Sequence, residues 1–155
     1  MNRSRRNALK AGGSAGVLAL LTAAGIVGSR EVLAQAGQSA FEIKTLPEAL
    51  KALGAQNATA SDGIQIKAPE IAENGAVVPI GVESRLPGTQ TITILIEKNP
   101  QPLTASFDIP SGTEPNVATR VKMGQSSDVY ALVKADGRFY VAKREIKITL
   151  GGCGG

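Results

Sequence analysis

The chain has 155 residues, with 17 Lys and Arg, 13 Asp and Glu, one cysteine and no histidine. The absence of histidine excludes Ser–His and Cys–His catalytic pairs and histidine-type metal sites. Aromatic residues make up only 3% of the chain and are not interleaved with Lys or Arg, which argues against a nucleic-acid partner.

Residues 1–36 are typical of a cleavable export signal. Arg5 and Arg6 form its charged start and resemble the twin-arginine pattern. An apolar stretch follows over residues 15–27, and residues 32–36 read Val-Leu-Ala-Gln-Ala, which contains an A-x-A cleavage site. The apolar stretch is too short for a membrane span, which needs ~20 helical residues, so an uncleaved anchor is the disfavoured alternative. We predict a periplasmic protein without membrane attachment after cleavage.

Removal of this signal changes the charge of the protein. Residues 1–36 contain five Lys and Arg and one Glu, which leaves 12 basic and 12 acidic residues in the rest of the chain. A protein without net charge has no general attraction for nucleic acids or anionic membranes, so neither is predicted as a partner. The twin-arginine route exports folded proteins. Because a cofactor is hard to seat without histidine and with one cysteine, we expect a co-folded protein partner and no cofactor.

Residues 37–150 are long enough for one domain with one hydrophobic core. The domain is predicted to begin with a short helix over residues 46–53. Thr45 is the expected N-cap, Glu48 its capping-box partner three residues later, and Gly54 the residue at which the helix ends. The leucines of this segment fall on one face, which predicts that the helix docks on a larger body.

From residue 64 onward, apolar residues recur at every second position, which predicts β-strands. About seven strands are expected, over residues 64–68, 76–84, 91–98, 104–109, 116–123, 128–134 and 138–150. Asp136 and Gly137 give a strong hairpin signal before the last strand, and Pro79 confines the second strand to an edge or a bulge. The protein is therefore predicted to be mainly β, an immunoglobulin-like antiparallel β-sandwich, with a small barrel as the alternative.

The carboxylates of this domain give no catalytic pattern. Asp62, Glu70 and Glu73 lie near one another in the sequence, and we interpret them as solvated surface charges. No metal site is predicted.

The one cysteine, Cys153, is flanked by Gly151, Gly152, Gly154 and Gly155. Glycine loses more conformational freedom on ordering than any other residue and has no side chain to bury, so residues 151–155 are predicted to form a flexible arm. A structural cysteine would be expected inside a core. This thiol is placed where another molecule can reach it.

A thiol in this position has four candidate roles. An odd cysteine in an exported protein suggests an intermolecular disulfide. Prenylation requires three residues after the cysteine, and only two follow Cys153. A ubiquitin-like terminal Gly-Gly is disfavoured by the export signal and by the cysteine itself. The fourth role is a thiol that carries covalently attached substrate between enzymes. Two functions stay open at this point: such a carrier, and an exported structural domain crosslinked to a neighbour through Cys153.

The Gly-Gly-Cys-Gly-Gly segment resembles the C-terminal signature of the SoxY family, the sulfur-carrier subunits of bacterial thiosulfate oxidation. Residues 67–80 read Lys-Ala-Pro-Glu-Ile-Ala-Glu-Asn-Gly-Ala-Val-Val-Pro-Ile and are similar to the P-x-I-A-E-N-G-x-x-V-P stretch of that family. For residues 70–79 we favour a structural role, in an edge strand and a turn at Asn74 and Gly75, over direct contact with a partner.

The resemblance implies a non-catalytic subunit that carries thiosulfate-derived sulfur on Cys153. It implies a heterodimer with a SoxZ-type β-sandwich subunit. The transient partners that it implies are a SoxAX-type haem protein, which would form a cysteine S-thiosulfonate, and a SoxB-type hydrolase, which would release sulfate. A SoxCD-type dehydrogenase, where present, would oxidise the remaining sulfane sulfur.

Overall fold

A computed structural model describes residues 41–149. The helix α1 spans Leu46–Ala52. The strands are β1 Thr59–Ala60, β2 Ile64–Lys67, β3 Ile71–Ala72, β4 Val78–Ser84, β5 Thr89–Ile96, β6 Leu103–Asp108, β7 Asn116–Val121, β8 Ser127–Ala135 and β9 Arg138–Ile148. The predicted export signal with Arg5 and Arg6 lies outside the described residues, as does the arm with Cys153.

The strands form two sheets, which confirms the predicted sandwich and rules out the barrel. The larger sheet has the order β1-β9-β8-β5-β6, with β3 also pairing with β9, and the smaller sheet has the order β2-β4-β7. All pairings are antiparallel except those of β1 and β3, which run parallel to β9. These two strands are two residues long and were not predicted, because two residues are too few for alternation to be recognised.

Most of the core lies between the two sheets. It is lined by apolar side chains from alternating positions of the central strands, Ile80, Val82, Ile92, Ile94, Ile96, Val129, Val133 and Ile146. A second cluster lies on the opposite face of the larger sheet, where α1 packs. Ala49 of α1 is fully buried there with Leu95, Leu103 and Leu132. The helix therefore covers the outer face of the larger sheet, as predicted from its leucines.

The helix begins and ends close to the predicted residues, but its N-terminus differs in detail. Thr45 is the N-cap without a side-chain bond to the backbone. Its hydroxyl donates to the Glu48 carboxylate at 2.7 Å instead, so the predicted capping box is wrong. At the other end Gly54 has φ +71°, and Ala55 N–H donates to the Leu50 carbonyl at 2.8 Å. This is a Schellman ending, which requires the left-handed conformation that glycine tolerates.

Pro79 lies on an edge, although its strand does not. β4 is the middle strand of the smaller sheet. Its partner β2 reaches only from Ser84 to Gly81, so in the described residues β7 alone pairs with β4 at Pro79. The prediction is therefore right for the residue and wrong for the strand. A ring that removes the backbone N–H is tolerated where the neighbouring strand has already ended.

Candidate functional site at the base of the C-terminal arm

Cys153 and the four flanking glycines lie beyond residue 149, so the structure describes the point at which the chain reaches the arm. That point is the end of β9, the longest strand. We call Ile148 and Thr149 the arm root. Two segments that are distant in sequence hold it, one on each edge of β9.

Ser126 holds the arm root on the β8 side. The ladder between β8 and β9 ends at the pair Ser127 and Ile146, so β9 extends two residues past its partner. The Ile148 N–H donates to the Ser126 hydroxyl at 2.9 Å. A side-chain oxygen thus replaces the carbonyl that a longer β8 would have offered.

Strand β3 holds the arm root on the other side. Ile71 pairs with Lys147 and Ala72 with Ile148, both in parallel register. Lys147 N–H donates to the Glu70 carbonyl at 2.9 Å, and Thr149 N–H donates to the Ala72 carbonyl at 3.1 Å. Glu70, Ile71 and Ala72 belong to the 67–80 segment noted in the sequence, and they hold the last described residues of the chain.

A turn at Asn74 and Gly75 completes this arrangement. The Asn74 side-chain oxygen accepts from Ala76 N–H at 2.9 Å, as in an Asx turn. The Gly75 carbonyl accepts from the buried Met123 N–H at 2.7 Å. A Cβ at Gly75 would collide with the Met123 carbonyl and come within 3.2 Å of the Ile148 side chain. Close packing against the arm root therefore requires glycine at position 75.

A groove of about 660 Å³ runs beside the arm root, between the edges of β2 and β9. Arg144 spans it: one guanidinium nitrogen donates to the Ile66 carbonyl at 3.3 Å, and the other lies 3.8 Å from the Glu70 carboxylate. Ile71 lines the groove and is 57% exposed. The groove thus combines backbone, charged and apolar surface.

The shifted pKa values of the described residues arise from surface ion pairs and partial burial. The hydrogen bond from Lys67, 2.6 Å from the carboxylate, lowers the pKa of Glu83. The hydrogen bond to Asp128 at 3.0 Å raises the pKa of Lys143. Burial raises the pKa of Tyr130, and the nearby Glu97 adds to the effect. These groups are dispersed over the outer faces of both sheets and do not converge on the arm root.

The predicted surface carboxylates are indeed exposed: Asp62, Glu70 and Glu73 all face solvent. Within residues 41–149, no cluster of three or more His, Cys, Asp or Glu side chains has the arrangement of a metal site. None of the helical structure in the same range is long and apolar enough to cross a membrane.

Comparison with known proteins identifies the family. The model of the family described as "Sulfur oxidation protein SoxY" matches residues 49–153. The chain belongs to the SoxY family. The matched range includes the nine strands described above, the arm root and the arm through Cys153, so the family resemblance seen in the sequence is confirmed.

Solved structures agree with this assignment. The sulfur carrier protein SoxY from Chlorobium limicola f thiosulfatophilum is 39% identical, with a TM-score of 0.62 over 72% of this chain and 97% of that one. A superoxide reductase (neelaredoxin) from Ignicoccus hospitalis matches at 20% identity and a TM-score of 0.50, over 56% of this chain and 80% of that one. The second likeness concerns the fold alone. No curated protein matched the chain.

Membership of the SoxY family makes the protein a sulfur carrier of sulfur oxidation that works with other components of the Sox system. Sequence reasoning found the cysteine but missed the residues that hold the arm root. The turn at Asn74 and Gly75 was visible as a dipeptide signal. The role of Ser126 had no signal, because a serine before a strand is ordinary loop composition.

Proposed function

We propose that Cys153 is the covalent attachment site for thiosulfate-derived sulfur, and that Gly151, Gly152, Gly154 and Gly155 form the flexible arm that presents it to partner enzymes. The observation that carries the proposal is the family match over residues 49–153, which reaches the one cysteine of the chain. Glycine neighbours leave the sulfur accessible from all sides, which suits a group that must enter the active sites of other proteins.

The proposed cycle begins with the Cys153 thiol and thiosulfate. A sulfur–sulfur bond forms between them, and one proton and two electrons leave to a SoxAX-type haem protein, which gives a cysteine S-thiosulfonate. Water then attacks the terminal sulfone at a SoxB-type hydrolase. Sulfate and one proton are released, and a persulfide remains on Cys153. A SoxCD-type dehydrogenase oxidises the remaining sulfane sulfur where that enzyme is present.

In this proposal the carrier itself catalyses no reaction. A free cysteine has a pKa near 8.5, so only a few per cent is thiolate at neutral pH. The enzyme that receives the arm must therefore supply the activation.

The same proposal includes a location and a stable partner. Arg5 and Arg6 would direct the protein through the twin-arginine route to the periplasm. A SoxZ-type β-sandwich subunit without its own signal would be exported with it as a heterodimer, which explains why a chain with no expected cofactor would be exported folded.

Intact mass spectrometry of protein recovered from thiosulfate-exposed periplasm tests the proposal. We expect adducts of thiosulfonate and of sulfane sulfur on Cys153 that a reductant removes. The matched variant Cys153→Ser should carry none, should lose thiosulfate-dependent electron flow, and should still bind its partner. Recovery of only free thiol and disulfide dimer would instead favour a structural domain crosslinked through its cysteine.

A further inference from the structure

We infer that residues 70–75 and Ser126 act together as a clamp that fixes the arm root, and that this clamp sets the origin and the usable length of the arm. The inference rests on the proposed function for its consequence, the delivery of sulfur. The clamp itself is a property of the described residues and can be tested without any sulfur chemistry.

The end of β9 needs a clamp because it extends past its neighbour β8. β9 outlasts β8, since their last pair is Ser127 and Ile146. The end of a strand without partners frays, and its amides exchange at low free-energy cost. Ser126 and β3 bind alternate amides of this end: Ile148 N–H on one edge and Thr149 N–H on the other. Both edges are therefore held up to the last described residue.

Strand β3 is itself held in place. The turn after β3 docks through the hydrogen bond from Met123 N–H to the Gly75 carbonyl. Met123 is only 2% exposed, so this anchor lies in the core between the sheets. Because a Cβ at position 75 would collide with the Met123 backbone, a larger residue there must move the turn, and β3 with it.

The clamp also determines how far Cys153 can reach. From a fixed Thr149, the Cys153 Cα lies four residues away, a span of about 14 Å when fully extended. If β9 frayed back to Ile146, seven residues would separate the last fixed point from Cys153, a span of about 25 Å. The effective concentration of a tethered group falls with roughly the −3/2 power of tether length, so this change alone lowers it about twofold. A frayed end also gives the arm no defined starting direction, which lowers the effective concentration further.

The test compares Gly75→Ala with Gly124→Ala in the full mature chain. A Cβ at Gly124 meets nothing within 4 Å, so this variant controls for the added methyl group. Amide hydrogen exchange is measured at Ile148 and Thr149. A nitroxide on Cys153, the sole cysteine, reports where the arm starts through relaxation of nearby amides. Loading with thiosulfate in periplasmic extract is followed by intact mass spectrometry.

In Gly75→Ala we expect at least about fivefold faster exchange at the arm root, as for loss of one hydrogen bond. Relaxation should spread to amides that the wild type leaves unaffected. Loading should be roughly two- to tenfold slower, with unchanged reactivity toward iodoacetamide. Gly124→Ala should match the wild type in every measurement.

Ser126→Ala, with the exposed Ser111→Ala as its control, keeps the test decisive if Gly75→Ala fails to fold. It removes the acceptor of Ile148 N–H and should increase exchange there by the same order. Wild-type exchange in both clamp variants would overturn the clamp. Faster exchange with wild-type loading would overturn its role in delivery. Absence of any adduct on the wild-type protein would contradict the proposed function, while exchange and relaxation would still decide the clamp.

Discussion

Gly88, which lies against the Asp136–Gly137 hairpin, shows how a single glycine affects local packing. Asp136 and Gly137 have φ of 47° and 74°, as a type I′ turn requires. The Asp136 N–H donates to the Gly88 carbonyl at 3.1 Å, so the hairpin closes on the loop before β5. Gly88 has φ +64°, and a Cβ there would collide with the Asp136 carboxylate. Glycine is therefore favoured at position 88 by its backbone conformation, and an added Cβ would also have to displace the Asp136 carboxylate.

Gly88→Ala is expected to destabilise the protein more than Gly112→Ala. Gly112 has φ +83° with nothing within 4 Å of an added Cβ, so its variant measures backbone strain alone, about 1–2 kcal/mol. The collision with Asp136 should add about 1–3 kcal/mol at Gly88. Urea unfolding of both variants gives the difference. Equal losses of unfolding free energy would show that the Asp136 side chain moves aside without cost.

At the scale of elements, β5 explains why a sheet of a sandwich can be covered on both faces. Residues 92–96 are all buried, without the alternation expected of a half-exposed strand. Ile92, Ile94 and Ile96 face the smaller sheet, whereas Leu95 belongs to the cluster under α1. The register of β5 with β6 shifts between Ile94 and Leu95. The short helix thus gives the larger sheet a second core.

Leu95→Ala is predicted to cost about as much as Ile94→Ala, in the range of 2–5 kcal/mol for truncation of a buried aliphatic side chain. Both residues are fully buried, one in each cluster. Val77→Ala is the control, because Val77 is 51% exposed and its truncation should change stability by less than about 0.5 kcal/mol. A small effect at Leu95 in denaturant unfolding would mean that α1 covers the sheet only loosely.

The local features of this fold could be predicted from the sequence, whereas the long-range contacts could not. Alternation revealed the seven longer strands, and Asp136–Gly137 revealed the hairpin, because both signals are local. The clamp on the arm root is not local: Ile71 and Ala72 pair with residues about 76 positions away, and Ser126 bonds to a residue 22 positions away. A two-residue strand and a lone hydroxyl leave no periodic pattern. Cys153 was identified from composition, since it is the one cysteine and lies among glycines.

At the scale of the whole molecule, the protein is a body with a fixed exit point for its arm. The sandwich supplies two sheets, α1 covers one outer face, and β9 leads the chain to residues 150–155. In the proposed function the body would be held by partners while Cys153 enters their active sites. The distance between Thr149 and Cys153 then limits which active sites the sulfur can reach.

Deletion of Gly151 and Gly152 is predicted to slow the loading of Cys153 by thiosulfate, because it shortens the extended span from Thr149 by about 7 Å. The double variant with alanine at both positions keeps the length and serves as the control for loss of glycine. Adduct formation is followed by mass spectrometry, and iodoacetamide reports that the thiol stays accessible. Wild-type loading by the deletion variant would show that arm length does not limit delivery.

The position of the arm root at the end of β9 also has a mechanical consequence. A pull on Cys153 would enter the domain at Thr149, directly after β9, which is joined to β8 by nine residue pairs and to β1 and β3 by parallel pairing. Force along a strand loads its hydrogen bonds together in shear, whereas force across it would break them one at a time. In the proposed function, an enzyme that pulls the arm along the axis of β9 would load the nine β8–β9 pairs together, and β9 would resist being peeled from the sheet during delivery.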